Sequence, residues 1–354
     1  MYKIPEKYWE KTAEQGIICR ICPHECRVKE GGIGVCRTRI NKEGEWYSLA
    51  YGNPCSAGID PVEKKPLYHF LPGTRILSIA TAGCNFHCLN CQNWTISQTG
   101  PKQVQHQSGQ GARSSTGESQ QYLMSPKQVV EAALRNNAPS IAFTYTEPTV
   151  FYEYMFDTAV LAHAEGLKTV MISNGYINPA PLADLIPYLD AANIDLKSLD
   201  DATYRKLTGG RLQPVLDTLL ALKKAGVWTE ITHLLIPQTT DDPDHFKALC
   251  QWLVDNGFKD NPIHISRFFP SYKLEHLSPT PIATMNRARD IALNAGLQYV
   301  YVGNMPEDGD SHTYCPHCNQ AVIKRHRYTL QQVSLTNGAC NNCGTSLPGI
   351  LFRL

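Results

Sequence analysis

The densest chemistry in this chain lies in residues 83–94. There Cys84, Cys88 and Cys91 stand in a C-x3-C-x2-C pattern, just after the apolar run Ile76 to Ala82 and Gly83. A loop this tight aims three thiolates at one point. A closed structural zinc site takes four ligands. A cubane [4Fe–4S] cluster held by three cysteines instead keeps one iron open, and that iron can bind a substrate or cosubstrate. The alternative is a zinc site completed by a distant ligand such as His87.

Two more cysteine groups flank this one. Cys19, Cys22, Cys26 and Cys36 follow one another with Pro23, Gly31, Gly32 and Gly34 as turn residues between them, the pattern of a small metal-nucleated fold. Four thiolates fit either zinc or a second iron–sulfur cluster, and Cys55 is a candidate to replace one of them. Near the other end, Cys315-Pro316-His317-Cys318 and Cys340-Asn341-Asn342-Cys343 are two knuckles separated by 21 residues, which is zinc-ribbon spacing. A closed site of four thiolates there would staple a tail too short to have its own core. Lys324, Arg325, His326 and Arg327 make a short basic run, expected to be a solvated face rather than a nucleic-acid contact. Clustered C-x2-C spacings with an odd total of 13 cysteines favour metal over disulfide, and Cys250 reads as a small buried hydrophobe.

The elements that position these groups alternate. Arg75 to Ala82 reads as a strand that delivers the cysteine loop. Ser125 and Pro126 read as N-cap and first residue of a helix with Val129, Val130, Ala133 and Leu134 on one face. Strands are expected at Ser140 to Phe143, Lys168 to Ile172, Ala192 to Leu196, Val227 to Ile236, Pro262 to Phe268 and Leu297 to Val302, with helices between them. This single file of strand and helix favours a parallel (β/α) barrel, whole or partial, over a doubly wound sheet. In such barrels chemistry gathers where strands end and βα loops begin. Residues 98–121, rich in Gln, Ser and Gly, read as a mobile insertion. Pro54 to Phe70 is Pro-punctuated, and Lys64, Lys65, Tyr68 and His69 in it are given no chemistry. The expected organisation is a cysteine-rich metal-binding segment over 1–70, the barrel over 71–305 and a zinc-ribbon tail over 306–354.

The totals exclude other classes. A net charge of +1 offers no global field for nucleic acid or an anionic membrane surface. No apolar run reaches the roughly 18 residues a membrane span needs. The N-terminus lacks a signal-peptide core, which gives the cytoplasm as the expected compartment.

Taken together, the chain resembles the radical S-adenosylmethionine (radical SAM) enzymes related to pyruvate formate-lyase activating enzyme. It is most similar to the branch called AmmeMemoRadiSam system radical SAM enzymes. The carriers are Cys22-Pro23-His24-Glu25-Cys26, residues 60–70, Gly83 to Trp94, Thr144 to Thr149, Ser173-Asn174-Gly175-Tyr176, Asn193 to Lys197 and the terminal knuckles. The resemblance implies that Cys84, Cys88 and Cys91 ligate a [4Fe–4S] cluster whose open iron binds SAM. It implies that one electron then cleaves SAM to methionine and a 5′-deoxyadenosyl radical, which takes hydrogen from a substrate. It places Glu147 at the SAM amino group, Asn174 at the ribose or carboxylate, and the pair Asp195 and Lys197 near the carboxylate and ribose. For Asn174 the competing reading is a turn residue, and for Asp195 and Lys197 a plain salt bridge. The superfamily usually has an aromatic residue before the third cysteine. Here it is Asn90, so adenine contact falls to the backbone or to Phe86.

The expected function is therefore hydrogen abstraction from an unidentified protein, RNA or small molecule, served by a flavodoxin- or ferredoxin-type electron donor. The alternatives are a glycyl-radical activase and, in another class, a non-catalytic zinc-binding or nucleic-acid-binding scaffold.

Overall fold

The structure, a computed structural model, describes residues 1–101, 123–306 and 311–351. The expected insertion over 98–121 lies outside the described residues from 102 onward. The chain forms two compact units, one of residues 1–60 with 75–190, the other of residues 61–74 with 191–354.

In the first unit the strands Lys168–Ser173, Ser140–Phe143, Arg75–Thr81 and Pro54–Pro61 lie side by side in that order. Ser140–Phe143 is parallel to both of its neighbours, with Ile76 and Lys168 each opposite Ser140. Arg75–Thr81 is buried along its length after Arg75, as a strand covered on both faces must be. Helix Pro126–Arg135 starts on the expected cap. Ser125 Oγ accepts from Gln128 N while the Gln128 side chain accepts from Ser125 N, a capping box with proline at the first helical position. Val129, Val130 and Ala133 face the core, but Leu134 is 43% exposed, because it follows Ala133 by a 100° turn and leaves the stripe. Helix Tyr152–Ala164 buries Met155, Ala159 and Ala162. The N-terminal residues add two small antiparallel sheets. One contains Trp9–Lys11, Ile17–Cys19 and Arg27–Val28; the other contains Tyr2–Lys3, Glu45–Ser48 and Arg39–Lys42.

The second unit carries the parallel strands Ala191–Asp195, Trp228–Leu235, Ile263–Arg267 and Val300–Gly303, paired in that order. The helices Asp201–Thr208, Gln213–Ala225, Pro243–Asp255 and Ile282–Asn294 fall between them. Asp200 caps the first through Thr203 N, and Asp242 caps the third through Asp244 N and His245 N. Cys250 is buried in the third of these helices, as expected. The chain thus adopts the expected α/β class, with mostly parallel strands alternating with helices. A three-stranded antiparallel sheet and a two-stranded one, from residues 313–340, form the tail around Cys315, Val322, Ile323, Cys340, Leu347 and Leu351.

Pro54–Pro61 is a strand of eight residues. Lys65, Tyr68 and His69 are buried as packing residues. One reading is corrected: Arg325 is 1% exposed instead of lying on a solvated face. Its guanidinium donates to Tyr68 O at 2.7 Å and to Thr313 Oγ1 at 2.9 Å, stands 3.7 Å from Glu63, and lies over the Tyr68 ring. A buried guanidinium needs such acceptors, and a lone basic run gives no sign of them.

Candidate active site

The cysteine loop begins where Arg75–Thr81 ends. Gly83 takes a φ of +101°, and a Cβ on it would fall 2.5 Å from the Cys36 carbonyl oxygen, so glycine is required here. Phe86 N donates to Cys84 Sγ at 3.3 Å, and Cys91 Sγ lies 3.2 Å from Ser97 Oγ. Burial pushes the Cys84 thiol well up, and the neighbouring Cys88 and Glu147 push it further. Such a thiol becomes a thiolate readily only beside a cation or metal. His87, the alternative zinc ligand, has its Nδ1 3.0 Å from Gln98 Oε1.

Asn85 holds this loop, and the sequence reading assigned it nothing. Its Nδ2 donates to Tyr176 O at 2.9 Å, its Oδ1 accepts from Asn174 Nδ2 at 2.8 Å, and its own carbonyl accepts from His24 Nε2 at 2.7 Å. Asn174 also accepts from Tyr176 N at 2.9 Å, the turn expected of an Asn before Gly175. Glu147 is 2% exposed and follows the strand Ser140–Phe143. Its Oε1 accepts from Thr149 N at 3.0 Å, Thr149 Oγ1 at 2.7 Å and Ser173 Oγ at 2.7 Å, and its Oε2 accepts from Asn174 N at 2.8 Å. Burial raises its carboxyl pKa, and these donors oppose that rise. Cys84, Asn85, Glu147 and Asn174 therefore share one connected polar framework.

Phe86 is fully buried, with its ring 4.9 Å from that of Tyr176. Asn90 supplies something else: it is 8% exposed, and its Oδ1 has no hydrogen-bond partner among the described residues. An orphaned buried acceptor beside the third cysteine fits a site completed by a bound donor.

The four N-terminal cysteines line one cavity with His24, Arg39, Trp46, Asn85 and Val150. Cys55, on the strand Pro54–Pro61, is not among its walls. Burial raises the Cys19 thiol to about 11 and pushes Cys22 well up. Arg39 pairs with the equally buried Glu153 at 3.1 Å.

In the second unit, Asp195 ends the strand Ala191–Asp195, and its Oδ2 is 2.8 Å from Lys197 Nζ. In the tail, Cys315, Cys318, Cys340 and Cys343 are, among the described residues, the group of three or more metal-ligating side chains whose ligand atoms all lie within 4.8 Å of one another. Cys315 Sγ is 3.5 Å from Cys343 Sγ, and Cys318 Sγ is 3.7 Å from Cys340 Sγ. Hydrogen bonds from the Thr345 hydroxyl and amide hold the Cys343 thiol down, to about 5.

Residues 78–253 match the model of the Radical SAM superfamily, and the chain belongs to that superfamily of enzymes. It is 42% identical, over 97% of its length and 98% of the other's, to an uncharacterized protein, MJ0808, of Methanocaldococcus jannaschii. It is 26% identical to the pyruvate formate-lyase 1-activating enzyme of Escherichia coli K12 over 65% of this chain and 93% of that one. Among solved structures, Streptococcus suis SuiB matches with a TM-score of 0.49 at 12% identity, over 69% of this chain and 52% of that one. A radical SAM domain implies a [4Fe–4S] cluster and S-adenosylmethionine. Among the described residues, no helix is long and apolar enough to cross a membrane.

Proposed function

We propose that this enzyme cleaves SAM reductively at a [4Fe–4S] cluster held by Cys84, Cys88 and Cys91, and abstracts hydrogen from a substrate outside the glycyl-radical enzymes. The reading places it in the AmmeMemoRadiSam branch, as a cytoplasmic protein served by a flavodoxin- or ferredoxin-type donor. The observation that carries it is the three-thiol loop at a strand end, tied by Asn85 to the loop of Asn174 and Glu147. When bound and reduced, the cluster supplies the electron that splits SAM into methionine and a 5′-deoxyadenosyl radical.

The chain's own residues supply position and charge. Glu147 Oε2 accepts one backbone donor, and a carboxylate oxygen has a second lone pair for the SAM ammonium. Asn90 Oδ1 is a buried acceptor for a nucleoside amine. Asn174 and the pair Asp195 and Lys197 are assigned to SAM by likeness to activating enzymes. The tail quartet is assigned to zinc. Its sulfur separations match the edge of a tetrahedron with 2.3 Å metal–sulfur bonds, about 3.8 Å. The cysteine-rich N-terminal segment and this tail exceed what a minimal activase needs, which favours modification of a protein, RNA or small molecule over glycine activation.

The test is 5′-deoxyadenosine formation by protein isolated and reconstituted without oxygen, then reduced with dithionite in the presence of SAM. Formation that requires Cys84, Cys88 and Cys91 supports the reading. Formation by a variant lacking them, or failure of the wild type to bind SAM with its cluster intact, sinks it.

A further inference from the structure

The sequence leaves Cys19, Cys22, Cys26 and Cys36 open between zinc and iron–sulfur, and the structure contains an internal standard for the choice. The tail quartet gathers its four sulfurs as a single tetrahedral ion demands, at 3.5 and 3.7 Å across two pairs. The N-terminal quartet lines a single cavity too, yet among the described residues it does not form a group of three ligand atoms within 4.8 Å of one another. These thiols converge on one space while standing wider apart than one ion's shell. A cubane produces that spacing, because iron and sulfide stand between its thiolates.

The walls point the same way. Trp46 is fully buried and lines the cavity, and its Nε1 has no hydrogen-bond partner among the described residues. Arg39 lines it as well, 2% exposed; its Nη1 donates to Cys36 Sγ at 3.9 Å, and its Nε is likewise without a hydrogen-bond partner among the described residues. Both orphaned groups are donors, and a donor in an apolar pocket requires an acceptor. At a zinc site the acceptors are the four thiolates themselves. A cluster adds bridging sulfides as further acceptors inside the cavity. Thr38 Oγ1, 3.1 Å from Cys36 Sγ, adds a polar group at the same sulfur.

The quartet is also set against the loop of Cys84. His24, between Cys22 and Cys26, donates to the carbonyl of Asn85, and the Cys36 carbonyl packs on Gly83. We propose that Cys19, Cys22, Cys26 and Cys36 hold a second iron–sulfur centre, a four-cysteine [4Fe–4S] cluster, beside the loop that carries Cys84. It is second only in respect of the reading above, and its own residues carry it independently.

The experiment is metal analysis of two proteins isolated and reconstituted without oxygen: the full-length wild type, and the full-length variant Cys84→Ala, Cys88→Ala, Cys91→Ala. The expected result is about eight iron in the wild type and about four iron with four sulfide in the variant, whose reduced-cluster electron paramagnetic resonance signal ignores SAM. Each protein should hold about one zinc. A wild type with four iron and a variant with none, each with two zinc, overturns the proposal while leaving the SAM reading standing. Four iron in both proteins, with a wild-type signal indifferent to SAM, does the reverse. Should the triple variant fail to fold, the wild-type ratio of iron to zinc decides alone: eight to one supports the cluster, and four to two overturns it.

Discussion

Asn174 Nδ2 donates to Asn85 Oδ1 at 2.8 Å, so the loop leaving one strand grips the cysteine loop leaving another. Asn85→Ala removes this bond and the one to Tyr176 O together. The cost is about 2–4 kcal/mol, and it falls on the geometry of Cys84. The expected outcome is a protein that loses iron to a chelator several times faster than the wild type while keeping its tail zinc. Iron release followed against time checks it; an unchanged rate would show that Asn85 does not position the loop.

Cys88→Ala should abolish 5′-deoxyadenosine formation and leave the zinc content at about one per chain. Parallel activity and zinc assays check it. Surviving SAM cleavage would refute the ligand assignment, whatever the zinc content.

Gly83→Ala drives a methyl group against the Cys36 carbonyl and the Thr38 side chain, both 2.5 Å from where it must sit. Gly166 has a similar left-handed φ of +72° with nothing within 4 Å of an added Cβ, so Gly166→Ala isolates the backbone cost of about 1–2 kcal/mol. Gly83→Ala should cost more than this control by at least about 1 kcal/mol and should lower iron content. Urea unfolding of the two variants separates the effects. Equal destabilisation would mean that the N-terminal module yields freely.

His69 is fully buried, and burial lowers its pKa from 6.5 to about 4. Its Nδ1 donates to Pro348 O at 2.8 Å, and its neutral Nε2 accepts from the Tyr301 hydroxyl at 2.8 Å. Between those two pKa values the unfolded chain binds a proton that the folded one refuses. Stability from this residue is therefore full above the unfolded value and falls as pH drops towards the folded one, by about 2 kcal/mol at pH 5. The variant His69→Gln should be less stable at pH 7 and should show a flatter decline between pH 7 and pH 5. Denaturant midpoints at the two pH values test it; identical slopes in wild type and variant would remove His69 from the acid response.

What the sequence made legible was local. The three cysteine groups announce themselves by spacing, the capping box of Ser125 and Gln128 lies within one turn, and the strand-to-helix alternation follows from runs of apolar residues. What it hid depends on partners far along the chain. Asn85 is read by His24, 61 residues away, and by Asn174, 89 residues away. Arg39 finds Glu153 114 residues on. Tyr68 and His69 resemble linker residues until Glu230 is seen accepting both of their amides, at 2.9 and 2.7 Å. The strand Pro54–Pro61 was missed because its two terminal prolines suit an edge position as well as a linker.

The link from Arg325 to Tyr68 and Glu63 bears on how the protein is made. Arg325 and Tyr68 are 257 residues apart. At typical elongation rates of about 5–20 residues per second, Glu63 waits on the order of tens of seconds for its cation. During that interval its carboxyl has no guanidinium, and the segment around it rests on such nearer partners as Gly73 N and Glu230. Closure of the second unit is therefore a late event in biosynthesis, and chaperone occupancy of ribosome-bound chains should persist until residue 325 has emerged.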